Sequence, residues 1–196
     1  WAVGMRQEWA YDPFYYDGTA AQTKRFQYVF VRNARWGQLS YGQQKSLTFD
    51  MVGSITDWYL GYGTKGQGTF NGYGGNQLLG FSRPNKTLYY RVRSDDFEFG
   101  VMYGLGTRPV HNSVNPSSVG AGKFVDSSRD ALYQVGTVWR PAEHWSLRLA
   151  YGYTEMSERS LDAQAQLNTR HPNVEGWLSG VTYTNAPWYH AVVYGE

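Results

Sequence analysis

Apolar residues recur at every second position along nearly all of this chain, and that period restricts the folds open to it. Side chains alternate between two sides along a strand, whereas a helix repeats near every 3.6 residues. Phe97, Phe99, Val101, Tyr103 and Leu105 alternate with Glu98, Gly100, Met102 and Gly104. Trp145, Leu147, Leu149, Tyr151 and Tyr153 alternate in the same way with Ser146, Arg148, Ala150, Gly152 and Thr154. Each such segment carries one large apolar face and one small or polar face. The chain is therefore expected to be all-β.

Nine strands are read in order. The first covers residues 2–12, with Met5, Gln7, Trp9 and Tyr11 on one face and Gly4, Arg6, Glu8 and Ala10 on the other. The second, near 25–33, sets Phe26, Tyr28 and Phe30 against Arg25 and Gln27. The third runs from Gln38 to about Phe49, with weak alternation. The fourth runs from Arg83 to Arg93, with Arg83, Asn85, Thr87, Tyr89 and Arg91 on one face. Phe97 opens the fifth, and Tyr133, Val135 and Trp139 mark the sixth. Trp145 opens the seventh, Trp177, Val181 and Tyr183 mark the eighth, and Trp188 to Glu196 is the ninth.

Connections between these strands alternate in length. Ala34-Arg35-Trp36-Gly37, Ser94-Asp95-Asp96, Pro141-Ala142-Glu143-His144 and Asn185-Ala186-Pro187 are short turns. Asp12 onward, Asp50–Ser82, Thr107–Ser128 and Ser157–Pro172 are long loops. In an up-and-down sheet this sorting puts every turn at one end and every loop at the other. A membrane-spanning barrel has that arrangement, with strands of about ten residues. Loops as long as Asp50–Ser82 are uncommon in compact domains and usually functional.

Composition agrees. Aromatic residues are 17% of the chain, yet its mean hydropathy is -0.56. That pairing suits strands with one lipid-facing side and one watery side, not apolar helices. No apolar run approaches the ~18–20 residues of a spanning helix. A formal net charge of +2, with both signs interspersed, argues against nucleic-acid binding. With no cysteine, disulfides and thiolate metal sites are excluded. The alternation is already running at Trp1 and still running near Glu196, so the chain reads as an interior fragment. An odd strand count points the same way, since single-chain bacterial barrels have even numbers.

Enzyme signatures do not emerge. His111, His144, His171 and His190 are scattered, without metal-ligand spacing. His190 and Ser179 are the nearest approach to a nucleophile–base pair on neighbouring strands, and nothing distinguishes them from chance. The glycines from Gly61 to Gly75 lack the lysine-serine pair and following helix of a phosphate loop. They suit backbone passing close to a crowded wall. Trp58, Tyr59, Tyr62, Phe70 and Tyr73 suit packing of that loop against a barrel interior rather than sugar stacking. Two rival readings are a soluble aromatic-rich β protein that binds carbohydrate and an outer-membrane barrel hydrolase.

Several runs in order resemble the general, trimeric porins of Gram-negative bacteria. They are Tyr41-Gly42; Phe49-Asp50-Met51-Val52-Gly53 leading to Thr56-Asp57; Arg83; Tyr90-Arg91; and Tyr194-Gly195-Glu196. The resemblance implies a sixteen-stranded transmembrane antiparallel β-barrel of which about nine strands are present. Residues 1–196 would form one partial porin domain, with 50–82 as the constriction loop folded into the pore. It implies passive diffusion of ions and small hydrophilic solutes through the outer membrane, with no enzyme activity and no cofactor. It also implies a homotrimer in contact with outer-membrane lipid and lipopolysaccharide.

By the same resemblance, Arg25 and Arg83 match two members of a basic cluster on the pore wall, and Asp57 matches one acid of the facing loop. The second loop acid falls near Gly61 and is missing. On the face assignments above, Arg6, Glu8, Arg91, Glu98 and Arg148 line the pore as well. Cations then outnumber acids, which predicts weak cation selectivity or a slight anion preference. Arg32, Arg35 and Arg93 lie near short turns and are expected on the periplasmic surface. Trp36, Trp139, Trp145, Trp177 and Trp188 suit interfacial girdles. Trp9, Phe26, Tyr28 and Phe30, on early strands, are expected on the outer face, toward another subunit.

Overall fold

The computed structural model describes residues 1–11, 22–59, 83–107, 123–161 and 167–195. They form one antiparallel sheet of β1 (Ala2–Tyr11), β2 (Gln22–Asn33), β3 (Gly37–Gln43), β4 (Thr87–Arg93), β5 (Phe97–Gly104), β6 (Lys123–Ala142), β7 (Trp145–Leu161), β8 (Leu167–Arg170), β9 (Asn173–Asn185) and β10 (Trp188–Gly195). Each strand pairs with the next in the path β1 to β7, then β9 and β10, while β8 extends along the far end of β7. β1 and β10 are the edges, so the described sheet does not close on itself.

Short turns are fixed locally. The Asn33 side-chain oxygen accepts from the backbone N–H of Arg35 at 2.9 Å and of Trp36 at 3.2 Å. This is the Asx geometry that turns a chain between strands. Gly37 follows with φ 83°, a conformation open to glycine, and a side chain there would run into the Arg91 backbone on β4. Ser94 closes the β4–β5 turn by donating its N–H to Phe97 O at 2.7 Å.

Two faces follow from the register. Glu98, Gly100, Met102 and Gly104 lie beside Val138, Gly136, Gln134 and Leu132, which lie beside Arg148, Ala150, Gly152 and Thr154. Most of these are buried. The opposite face presents Val101, Tyr103, Val135, Trp139, Leu147, Leu149, Trp177 and Val181, all exposed. An apolar surface this continuous marks contact with lipid or a partner, because water disfavours large contiguous patches. A soluble barrel would turn these residues inward.

Five expectations change. The third strand ends at Gln43, and residues Leu47–Met51 form a helix, α1, followed by a 3-10 helix over Gly53–Tyr59. The fourth strand begins at Thr87 rather than Arg83. The second begins at Gln22. Parts of the loops expected at Thr107–Ser128 and Ser157–Pro172 are strand: β6 begins at Lys123, β7 reaches Leu161, and β8 makes a tenth strand. β8 and β9 both pair with β7, separated only at His171-Pro172, where proline has no N–H to donate.

The fifth change concerns Phe26, Tyr28 and Phe30. They sit opposite Glu8, Arg6 and Gly4 in the β1–β2 register, so they share the polar face rather than the outer one. Phe26 is only 3% exposed. The register slips between Glu8 and Trp9, which pairs with Lys24 and leaves Arg25 as the extra residue of a bulge. A bulge re-aims one side chain. Arg25 and Phe26 thereby serve the same face although they are neighbours in sequence.

Candidate functional site

Helix α1 lies across the polar face of the sheet, and glycines make its seat. A Cβ at Gly100 would sit 2.6 Å from Met51 Cε, one at Gly136 2.6 Å from Leu47 Cδ2, and one at Gly180 2.7 Å from Ile55 Cδ1. These three glycines lie on β5, β6 and β9. Where each lacks a side chain, the helical segment occupies the space. Leu47, Met51 and Val52 are buried there with Tyr89, Met102, Leu132, Val138, Ala150 and Leu178.

Hydrogen bonds fix the direction of α1. Ser46 is its N-cap and accepts from Phe49 N at 3.2 Å. Buried Gln134 on β6 accepts from Leu47 N at 2.9 Å, so two otherwise orphaned N–H donors of the first turn are satisfied. Beyond its end, Arg148 on β7 donates to Met51 O at 2.9 Å, a cation placed against the carbonyl end. Tyr189 donates to Ile55 O at 2.8 Å, tying the 3-10 helix to β10.

This pose aims Asp50 at the wall of β4. Arg91 donates to Asp50 Oδ2 at 2.8 Å, and Tyr89 O–H reaches the same oxygen at 3.5 Å. Arg91 also pairs with Glu98. Arg140 reaches Glu98 at 3.1 Å and Arg93 at 3.9 Å. The Glu98 side chain is 3% exposed. Buried carboxylates persist when paired and hydrogen-bonded, and Glu98 is surrounded by guanidinium groups.

A second group lies on β1 and β2. Glu8 accepts from Arg6 at 2.7 Å and pairs with Arg25 at 3.2 Å. The guanidinium groups of Arg6 and Arg83 lie 4.7 Å and 5.4 Å from the Phe26 ring centroid, within cation–π range. Between the two groups and α1 is a cavity of about 180 Å³ lined by Arg6, Phe26, Tyr28, Lys45, Asp50, Tyr89 and Arg91, among others. Lys45 lies 5.5 Å from the Phe49 ring centroid.

The expected site residues therefore separate into placed and unplaced. Arg6, Glu8, Arg25 and Arg83 gather at one end of this face, and Arg91, Glu98 and Arg148 gather near α1. Asp57 falls in the 3-10 helix by its backbone, and its side chain lies outside the described residues. Gly61 lies outside them entirely. Arg93, expected on the surface, is exposed but reaches toward Glu98.

Sequence reasoning missed Asp50, Arg140, Lys45 and Gln134. Ser46 followed by Leu47 and Met51 four residues apart is a helix-start signal that was legible. Glu98, Gln134 and Arg148 come together with α1 only through the sheet register. Among the described residues no group of three or more acidic, histidine or cysteine side chains is placed to hold a metal.

A sequence profile of the family described as Gram-negative porin matches residues 3–196. No curated protein sequence matches this chain. Among solved structures, OmpF of Salmonella typhi in complex with daunomycin aligns at 15% identity and a TM-score of 0.40, covering 91% of this chain and 61% of that one. In vitro folded OmpT, an outer membrane protein of Vibrio cholerae, aligns at 14% identity and a TM-score of 0.32, covering 89% and 70%. A trimer form of OmpT aligns at 13% identity with the same TM-score, covering 89% and 71%. The chain thus spans less than two thirds of the OmpF chain it aligns with.

Proposed function

This chain belongs to the Gram-negative porins, and on that premise we propose that it forms part of a water-filled channel for passive diffusion of ions and small hydrophilic solutes. Its location is the outer membrane. The observation that carries the reading is α1 seated on the polar face, with Asp50 held against Arg91 while the opposite face is apolar and exposed. A helix in that position narrows whatever space the face encloses, and it places an acid opposite basic groups on the wall. Pore width and rings of charge are what set selectivity in such channels.

In this proposal residues 1–196 are one porin domain and the connection from Asp50 to Ser82 is its constriction. Arg25, Arg83 and Asp57 define the constriction with Gly61 in place of a second acid, and Asp50 joins them. Arg6, Glu8, Arg91, Glu98 and Arg148 line the pore. The working unit is a homotrimer, embedded in outer-membrane lipid and lipopolysaccharide. The chemistry is non-enzymatic and uses no cofactor.

Charge balance gives the sign of selectivity. Glu98 is neutralised by the guanidinium groups around it, and Asp50 by Arg91. Arg148 donates to Ser146 and to the Met51 carbonyl rather than to a carboxylate. Cations are in excess on the described wall, so cation selectivity is weak and a slight anion preference is expected. The test is the reversal potential of the full-length protein in a planar bilayer under a salt gradient. A near-zero or anion-selective potential supports the proposal. No conductance would remove the channel reading, and strong cation selectivity would overturn the charge assignment.

A further inference from the structure

The cavity of about 180 Å³ between α1 and the sheet is built as a trough, with β3 as its floor. In the register of β2, β3 and β4, Tyr28, Gly42 and Thr87 lie in one row, and Phe30, Ser40 and Tyr89 lie in the next. β3 therefore sets a glycine and a serine between larger side chains. Gly42 has φ 141°, and a Cβ there would lie 2.2 Å from Gln27 O, so this part of the floor has no side chain. β2 and β4 stand two strand spacings apart, about 9–10 Å. Phe26 and Tyr28 line the cavity from β2, and Tyr89 lines it from β4.

Most polar groups of the trough are committed to each other. Ser40 Oγ donates to Gln44 Oε1 at 2.6 Å, and Gln44 Nε2 donates to Thr87 O at 3.2 Å. Asp50 is held by Arg91 at 2.8 Å. Arg6 and Arg25 share a single acid, Glu8. Lys45 differs. It lines the cavity half-buried, its Nζ lies 5.5 Å from the Phe49 ring centroid, and among the described residues no carboxylate pairs with it. The trough thus combines aromatic walls with one uncommitted ammonium.

We propose that this trough is a binding site for a small aromatic carboxylate of one ring, the ring lying along the aromatic walls and the carboxylate on Lys45. It rests on the channel reading above, which brings solutes to the polar face. Aromatic rings gain both from burial and from their mutual geometry. A carboxylate on an ammonium makes a charge-assisted hydrogen bond, stronger than a neutral one. Each alternative occupant leaves part of the site unused. An aliphatic acid does not engage the walls, and a neutral sugar does not engage Lys45. A polyanion needs more uncommitted donors, and Asp50 at the rim opposes it.

The experiment uses the full-length protein with benzoate, its neutral analogue benzamide, and acetate, which lacks the ring. Equilibrium dialysis in detergent reads binding, and planar-bilayer recording reads block of the ionic current. Benzoate is expected to bind saturably and to reduce the current over the same concentration range, whereas benzamide and acetate do neither in that range. Lys45→Met is expected to raise the half-saturating benzoate concentration about tenfold, the loss of one charged hydrogen bond. Lys45→Arg is expected to stay near wild type, and Tyr28→Leu to weaken benzoate while leaving acetate unchanged. Benzamide binding as well as benzoate would overturn the role of Lys45, and acetate binding as well would overturn the role of the walls. Non-saturable benzoate binding, or equal binding in Lys45→Met and wild type, would reject the site. These comparisons of ligands on wild type need no variant to fold. Saturable benzoate binding without any ionic current would instead reject the channel reading and leave the site standing.

Discussion

Asp50, on the short helix, and Arg91, on β4, meet at 2.8 Å although 41 residues separate them. The contact joins the element that crosses the polar face to the wall of that face. Both side chains retain exposure, 21% and 36% respectively. Such a pair is worth about 1 kcal/mol or less in stability. Its consequence is mainly electrostatic.

Asp50→Asn removes the acid of this pair and leaves Arg91 with Glu98. The reversal potential of the full-length protein is expected to move toward anion selectivity, with thermal unfolding in detergent nearly unchanged. The opposite sign of shift would show that Asp50 does not face the solute path.

Gly136→Ala and Gly152→Ala make a matched test of the helix seat. An added Cβ meets Leu47 Cδ2 at 2.6 Å in the first case but only Thr48 Cγ2 at 3.5 Å in the second. Overpacking at Gly136 is expected to destabilise by about 1–3 kcal/mol, whereas Gly152→Ala stays near neutral. Denaturant midpoints in detergent read the difference, and equal midpoints would mean that α1 is not held against β6.

Leu47→Ala empties the centre of the same contact. Leu47 is 0% exposed and packs where Gly100 and Gly136 leave room. Truncating a buried leucine costs about 2–5 kcal/mol. Loosening α1 from the wall is also expected to raise single-channel conductance. An unchanged conductance with lost stability would separate the packing role from any role in narrowing the pore.

Glu98→Gln tests the buried acid. Arg91, Arg140 and Arg93 converge on it, and the amide cannot balance their charge. A loss of roughly 1–3 kcal/mol is expected, since the part-buried Arg140 guanidinium faces an amide in place of a carboxylate, whereas Arg91 keeps Asp50 and Arg93 is largely exposed. The reversal potential shifts toward anions at the same time. High salt is expected to weaken the selectivity change more than the stability change, because exposed fields are screened and sheltered pairs are screened less.

Much of the sheet was legible from period alone. Strand order, the short turns and the faces of β4 to β7 and of β9 follow from side chains alternating along an extended backbone, a local property, whereas β8 lies where a loop is expected. Glu98, Arg91 and Arg148 could therefore be placed on the polar face without coordinates. The faces of β1 follow the alternation, but the face of Phe26, Tyr28 and Phe30 on β2 misled because a bulge at Arg25 adds one residue, and no residue type there announces it. Residues 47–51 misled because Leu47 and Phe49 also fit a strand.

The sequence by itself determined an alternating antiparallel sheet with one apolar and one polar face, and it determined the residue types available on each. The tertiary structure decided that α1 crosses the polar face, that Asp50 meets Arg91, and that Phe26 turns inward beneath Arg6 and Arg83. The physical reason is range. Alternation is set by each residue's own backbone geometry, whereas these contacts join strands distant in the chain. They depend on glycines at Gly100, Gly136 and Gly180 that make room only once the sheet has paired.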